Sequence, residues 1–372
     1  MKRKLLTLLV TAMCLSAFGQ GEGTIFTATE PPDEAILQRL LYDHSYVHIP
    51  AFSPPLPTKK NKVLNWCRGL DGSTYYLIIQ SPDADVDLNW SNLDYSKLYW
   101  SVAKQKKDGE VKLFDLKIDS GFISSVQINA AANGLLFTGF YSKKKGEDLL
   151  GVFTLTMDTS GKIVNENTKN LDPTFRFGKV KEPGGAVTVW LMNIGKVMPL
   201  SDGGFVWIAE PESRFSSWFS SKYSSYTDLI ESELDWSEVC VRINKDLSIG
   251  YVTKIPKLAD KKDFTLYPLD NAVIVNDVLY AIFNDHKDNL NVTDQTKLKR
   301  ASYWHVASGK QVLEIARIEQ DGSYKKEIIP VSRPEWGFTI TNLQRMGSNV
   351  VLVTGEKSND AHDVQKLKVT LH

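Results

Sequence analysis

The sequence predicts an all-β fold, a β-propeller of about five four-stranded blades with its long loops on one face. Two repeating series of segments predict the blades, and an asymmetry in loop length orients them. The first series is "GSTYYLIIQ" (72–80), "NGLLFTGFY" (133–141), "GGFVWIAE" (203–210), "NDVLYAIFN" (276–284) and "GSNVVLVTGE" (347–356), whose starts lie 61 to 73 residues apart. Each is a turn followed by a β-branched or aromatic strand, and a fixed period marks a repeat architecture.

The second series follows the first. "LYWSVAKQKKDGEVKLFDLKI" (98–118), "VFTLTMDTSGKIVNENTKNL" (152–171), "EVCVRINKDLSIGYVTKIPK" (238–257) and "LEIARIEQDGSYKKEIIPV" (313–331) each read as strand, polar turn, strand. With one leading strand per repeat this gives four antiparallel strands, A to D from the channel outward. The competing arrangements are six blades, the sixth between residues 172 and 200, or a pair of β-sandwiches.

Taken from the N-terminus, residues 1–19 read as a signal peptide. Lys2, Arg3 and Lys4 precede an apolar run from Leu5 to Phe18, and the small residues Ala17 and Gly19 suit cleavage before Gln20. That run is shorter than the roughly twenty residues a membrane-spanning helix needs, and no later segment approaches that length. Residues 20–44 form an N-terminal arm with a short helix over 33–44, where Ile36, Leu37, Leu40 and Leu41 recur at helical spacing. The propeller domain is expected over 45–372. The fifth repeat ends before a D strand, so "SYVHIPAF" (45–52) is expected to pair with 364–371 and close the ring.

The A–B and C–D turns ("LDGS", "SDGG", "KKDG", "EQDG") are tight, so the extra length falls in the B–C and D–A connections. In an antiparallel blade those connections leave from the same end, which makes that end the expected working face. The third B–C connection is unusual: "SRFSSWFSSKYSSYTDL" (213–229) mixes seven serines with five aromatics. Disordered linkers are poor in aromatics. The candidate ligand-binding residues are therefore Trp218, Phe219, Tyr223, Tyr226 and Trp236 here, with Trp90 and Tyr95 in the first repeat and Tyr303, Trp304 and His305 in the fourth. They suit either a packed roof over the channel or a stacking platform for a sugar or peptide, with Asp228, Glu231, Glu233 and Asp235 as hydroxyl acceptors.

Other chemistries find little support. The formal net charge is zero, without the basic footprint of a nucleic-acid binder. Asp83, Asp85, Asp87 and Asn89 alternate like calcium ligands, but Leu88 replaces the turn glycine and Asp94 the bidentate glutamate. His286 lacks a second nitrogen ligand at usable spacing. No nucleophile elbow, phosphate loop, zinc motif or CxxC occurs, so neither cofactor nor metal is expected. Cys67 and Cys240 fall in repeats that are not neighbours in a five-blade ring, which predicts two unpaired thiols.

The run "KIPK" (254–257), "IFND" (282–285), "GK" (309–310), "LEIARIEQDG" (313–322) and "VTGEK" (353–357) resembles uncharacterised secreted proteins of Bacteroidota, over roughly residues 200–370. The resemblance implies a periplasmic or extracellular location and carries no catalytic residues. Two functions are compatible with all of this. One is an exported, non-catalytic binding or scaffold propeller whose loop face takes a glycan, peptide or envelope partner. The alternative is a carbohydrate-active hydrolase or lyase using loop carboxylates such as Asp228 or Asp235. Absence of a recognisable catalytic signature favours the first.

Overall fold

Strands dominate because the chain alternates tight polar turns with runs of Val, Ile, Leu, Phe and Tyr that bury both of their faces. The computed structural model describes residues 26–29, 60–81, 98–145, 149–172, 180–182, 185–187, 192–211, 214–220, 227–260, 272–294, 297–299, 310–331, 338–357 and 360–372. After β1 (Phe26–Thr29) come β2 (Lys60–Arg68), β3 (Thr74–Ser81), β4 (Tyr99–Gln105) and β5 (Val111–Asp115), which form the first sheet in that order. The second sheet is β6 (Phe122–Ala131), β7 (Gly134–Ser142), β8 (Leu149–Met157) and β9 (Ile163–Asn170). A small hairpin follows, β10 (Val180–Glu182) with β11 (Gly185–Val187).

The third sheet orders β12 (Met192–Pro199), β13 (Phe205–Pro211), β15 (Thr227–Ile243) and β16 (Ile249–Asp260), with β14 (Arg214–Ser220) paired to the first half of β15. The fourth is β17 (Ala272–Val275), β18 (Val278–His286), β19 (Gln311–Ile318) and β20 (Tyr324–Ile329). The fifth is β21 (Phe338–Arg345), β22 (Val350–Lys357), β23 (Asp360–Leu371) and, as its outer strand, β1. Every pairing is antiparallel, and the result is a β-propeller-like all-β fold.

Both predicted series appear as strands at the expected places. The aromatic segments are the second strand of each sheet, and every residue of β7 is buried. A strand covered on both faces loses the usual polar alternation and becomes continuously apolar. The outer strands differ, and β9 is largely exposed. Residues 172–200 hold the two-stranded β10–β11 hairpin and β12, not a further four-stranded sheet among the described residues.

The ring-closing expectation is corrected in its segment. The last sheet does borrow its fourth strand from the N-terminus, but Phe26–Thr29 supply it, pairing with Lys368–Leu371. Residues 45–52 and the expected helix at 33–44 lie outside the described residues. The edge that 45–52 was to cover is taken by a segment nearer the chain start, inside the arm.

Successive sheets pack face to face. One core cluster joins Leu77 and Val102 to Ile128 and Phe153, a second joins Phe140 to Trp207, a third joins Ile208 and Cys240 to Leu279 and Phe283, and a fourth joins Ile282 to Val353. Trp207 is fully buried and meets Phe140 edge-on at 5.3 Å between centroids. The tight-turn ends are tied together in series. Lys104 Nζ donates to the Thr159 carbonyl (2.9 Å), Thr154 Oγ1 to that of Leu247 (2.8 Å) and Thr253 Oγ1 to that of Gly322 (2.6 Å). In each case a strand of one sheet caps the third turn of the next, so these turns share a side and the long connections share the other.

The turn chemistry is repetitive. Asp108, Asp158, Asp246 and Asp321 each accept the backbone N–H two residues on, an Asx turn. The following position takes φ near +90° at Gly109 and Gly322 and 68° at Leu247, while in the second sheet Gly161, three residues after Asp158, takes +93°. The two described cysteines are free: Cys240 is fully buried, Cys67 half-buried, and burial pushes the Cys67 thiol up to about 12. No helix among the described residues is long and apolar enough to cross a membrane.

Candidate functional site

Of the sequence-predicted aromatic site, Trp218, Phe219 and Trp236 fall in described strands. The serine-rich stretch is not a loop throughout. Residues 214–220 and 227–233 form a β-hairpin arm, with Trp218 opposite Leu229 and Phe219 opposite Asp228. β15 runs on from this arm into the body of the third sheet, and Trp236 pairs with Leu258 where the two meet. The physical reason is local pairing: aromatic side chains suit a strand, and a ladder satisfies backbone groups that a loop would leave to water. Trp90, Tyr95, Tyr223, Tyr226, Tyr303, Trp304 and His305 lie outside the described residues, as do Asp83, Asp85 and Asp87.

Beneath the base of that arm, sequence reasoning missed a layer of buried charge between the third and fourth sheets. On the facing side of the third sheet Val206, Ile208 and Cys240 are apolar neighbours, and Glu210 and Glu238 follow toward the long-connection end. The fourth sheet mirrors this, with Leu279, Ala281 and Phe283 leading to Asp285, and Ile318 and Ala316 leading to Glu314. Alternation fixes the geometry, because residues two apart on a strand share a face. The interface is oily toward the tight turns and ionic toward the long connections.

Two lysines from outer strands enter this layer. Lys257 of β16 is fully buried and places Nζ 2.5 Å from Glu210 Oε1, 2.7 Å from Glu238 Oε1 and 5.2 Å from the Phe283 ring centroid. Lys326 of β20 lies 3.0 Å from Glu314 Oε2 and 3.7 Å from Asp285 Oδ2, and donates to the carbonyls of Pro256 and Asn289. Asp285 Oδ1 accepts from the backbone N–H of Leu258 (3.0 Å) and His286 (2.8 Å) and from Asn289 Nδ2 (2.7 Å). Burial pushes the Asp285 carboxyl up from its ordinary range, and it pushes Glu314 up to about 7. Burial also holds His286 below its usual value, and its Nδ1 accepts from the N–H of Asp288.

Residues Lys257, Asp285 and Glu314 stand in "KIPK", "IFND" and "LEIARIEQDG", three segments singled out in the sequence as turns and strands. The available signal was a charge at an inward position of an otherwise apolar strand, as in "FVWIAE" and "VLEIARI". A group that performs catalysis must touch its substrate. Glu210, Glu238, Asp285, Glu314 and Lys257 are each at most 2% exposed, so the layer is structural or proton-holding in this state, not a catalytic surface. No group of three or more histidine, cysteine or carboxylate side chains among the described residues is arranged to hold a metal ion.

No protein-family profile matches the chain, and no curated protein matches it. Similar solved structures include hydrazine synthase from Kuenenia stuttgartiensis, at 11% identity over 84% of this chain and 80% of that one, with a TM-score of 0.31. The GH93 α-L-arabinofuranosidase of Fusarium graminearum follows at 9% identity, 84% and 76% coverage and a TM-score of 0.28. The WD40 domain of SCAP from fission yeast gives 9%, 84%, 74% and 0.23. These chains include enzymes and a non-enzyme, and likeness at this level carries no argument about activity.

Proposed function

We propose that the chain is an exported β-propeller of five four-stranded blades that binds rather than transforms its ligand. The aromatic hairpin arm and neighbouring long connections take a glycan, with a peptide or envelope protein as the other ligands to be screened. One observation carries this reading: residues 214–220 pair with 227–233 in a hairpin that continues into a core strand, so Trp218 and Phe219 ride on a preformed support. Preformed aromatic surfaces bind sugars and peptides with little ordering cost. The buried charge layer below gives the arm a fixed base.

The hydrolase or lyase reading is weakened by the register. Asp228 and Asp235 sit on the same extended strand, seven residues apart, which at about 3.4 Å per residue separates them by roughly 24 Å. Paired glycosidase carboxylates stand about 5–10 Å apart. These two cannot act as such a pair.

The test is a glycan and peptide array on the mature protein, run beside a turnover panel of polysaccharides. Saturable binding without turnover supports the reading. Polysaccharide cleavage that persists through purification would overturn its non-catalytic part, and absence of binding to every glycan, peptide and envelope fraction would overturn the rest.

A further inference from the structure

Asp285, Glu314 and Lys326 form a buried group in which two carboxyls share one ammonium, at 0%, 0% and 9% exposure. An ammonium has three donors. Two of those of Lys326 go to the carbonyls of Pro256 (3.1 Å) and Asn289 (3.0 Å), and Glu314 Oε2 stands 3.0 Å from Nζ as an ion pair. Asp285 is the better-equipped anion, since three N–H donors converge on its Oδ1. Glu314 pairs with Lys326, and neither of its carboxyl oxygens has a hydrogen-bond partner among the described residues. Two carboxylates sharing a site cannot both ionise cheaply, so the proton belongs on the less solvated one.

We propose that Glu314 is a proton-operated latch between the third and fourth sheets. With its proton, the two faces close over a balanced pair, Asp285 and Lys326. Without it, two anions confront one lysine and the long-connection end of the interface loosens. The mechanical link is β16: its Pro256 carbonyl is held by Lys326 and its Leu258 N–H by Asp285. Leu258 is also the register partner of Trp236, where the hairpin arm joins the sheet, so the latch sets how firmly the arm is seated. It operates whatever the loop face binds.

The groups around Glu314 come from four directions. On β18 stand Phe283, directly opposite it in the ladder, and Asp285. On β20 stands Lys326. From the third sheet come the Pro256 carbonyl and Lys257, the latter paired with Glu210 and Glu238. The short 3-10 turn at 287–289 adds Asn289, with His286 before it and Asp288 and Lys299 paired outside.

The direction of the pH effect follows from proton binding. Burial, opposed by Lys326 and reinforced by Asp285, sets the Glu314 carboxyl near about 7, against 4.5 for an ordinary glutamate. The folded chain therefore holds a proton that the unfolded chain releases, and folding loses stability as pH rises from 4.5 through about 7. His286, and Lys254 at about 8, are both lowered by burial and act in the opposite sense. The readout is therefore the difference between two variants, not one curve.

The experiment compares urea midpoints of the mature chain and its Glu314→Gln variant across that pH range, glutamine having the shape of the protonated side chain and no proton to lose. The wild-type midpoint should fall relative to the variant's between pH 5 and 8. Exchange of the Leu258 amide, corrected for its intrinsic rate, should rise at least tenfold from pH 6 to pH 8 in wild type only. Parallel midpoint curves would overturn the latch. If the variant does not fold, the infrared carboxyl band of labelled wild-type protein decides: a buried protonated glutamate present at pH 5.5 and lost by pH 8 upholds it, and an ionised Glu314 at pH 5.5 overturns it.

Discussion

Phe26 lies directly opposite Leu371 in an antiparallel ladder, so the first described strand of the chain and its last are hydrogen-bonded neighbours in one sheet. The pairing covers the outer edge of β23, whose Val369 and Leu371 are buried in the core shared with the fourth sheet. An uncovered edge invites pairing with another chain.

Deleting residues 20–29 should lower stability by a few kcal/mol, at about 1 kcal/mol net for each backbone hydrogen bond lost. It should also promote aggregation. Urea unfolding and light scattering of the truncated chain check this, and an unchanged midpoint in a monomeric product would refute closure by β1.

Gly322 and Gly109 occupy equivalent turns at φ +87°, but only Gly322 is crowded. A Cβ there would meet Tyr251 Cγ at 2.8 Å and Thr253 Oγ1 at 2.9 Å, while one at Gly109 meets nothing within 4 Å. Gly109→Ala should cost about 1–2 kcal/mol, the strain of a left-handed backbone alone. Gly322→Ala should cost clearly more, as measured by urea midpoints, because it also loosens the Thr253 contact with the Gly322 carbonyl.

Lys257 pairs with two buried glutamates, and its removal takes that cation from both. Lys257→Met should destabilise the protein by about 3–5 kcal/mol, the usual cost of breaking a buried ion pair from one side. The loss should shrink at acid pH, where the glutamates can take protons. A variant equally unstable at pH 5 and pH 8 would show that the packing of the side chain matters and its charge does not.

Trp218→Ala tests the arm. On a bound glycan it should weaken affinity by about 1–3 kcal/mol, the scale of a lost aromatic anchor, with the thermal midpoint unchanged. Calorimetric titration with the best array ligand reads this directly. Equal affinity would remove Trp218 from the binding surface.

Much of this was legible in the sequence because it is local. Strands such as 134–142 and 278–286 announce themselves by continuous apolar character, and their turns by Asp and Gly at fixed places. The hairpin arm was legible only as an anomaly: its composition raised suspicion, yet Trp218 and Phe219 were expected in a loop and stand in a strand. The charged layer was passed over because single charges in strands, such as Glu210 and Glu314, become buried only when a second sheet is laid against them.

The sequence by itself determined the repeat, the strands of its two repeating series and the turn types, since backbone preference and one-residue burial patterns act over a few residues. The tertiary structure decided three things that depend on distant partners. Strand 26–29, too short to carry a pattern, completes the last sheet because the outer edge of β23 is open there. Residues 214–220 become a strand because 227–233 offer them a ladder. Glu314 and Asp285 become a coupled pair because folding removes water from the face of the fourth sheet and supplies one lysine for both, a relationship between charges that exists only when the two sheets meet.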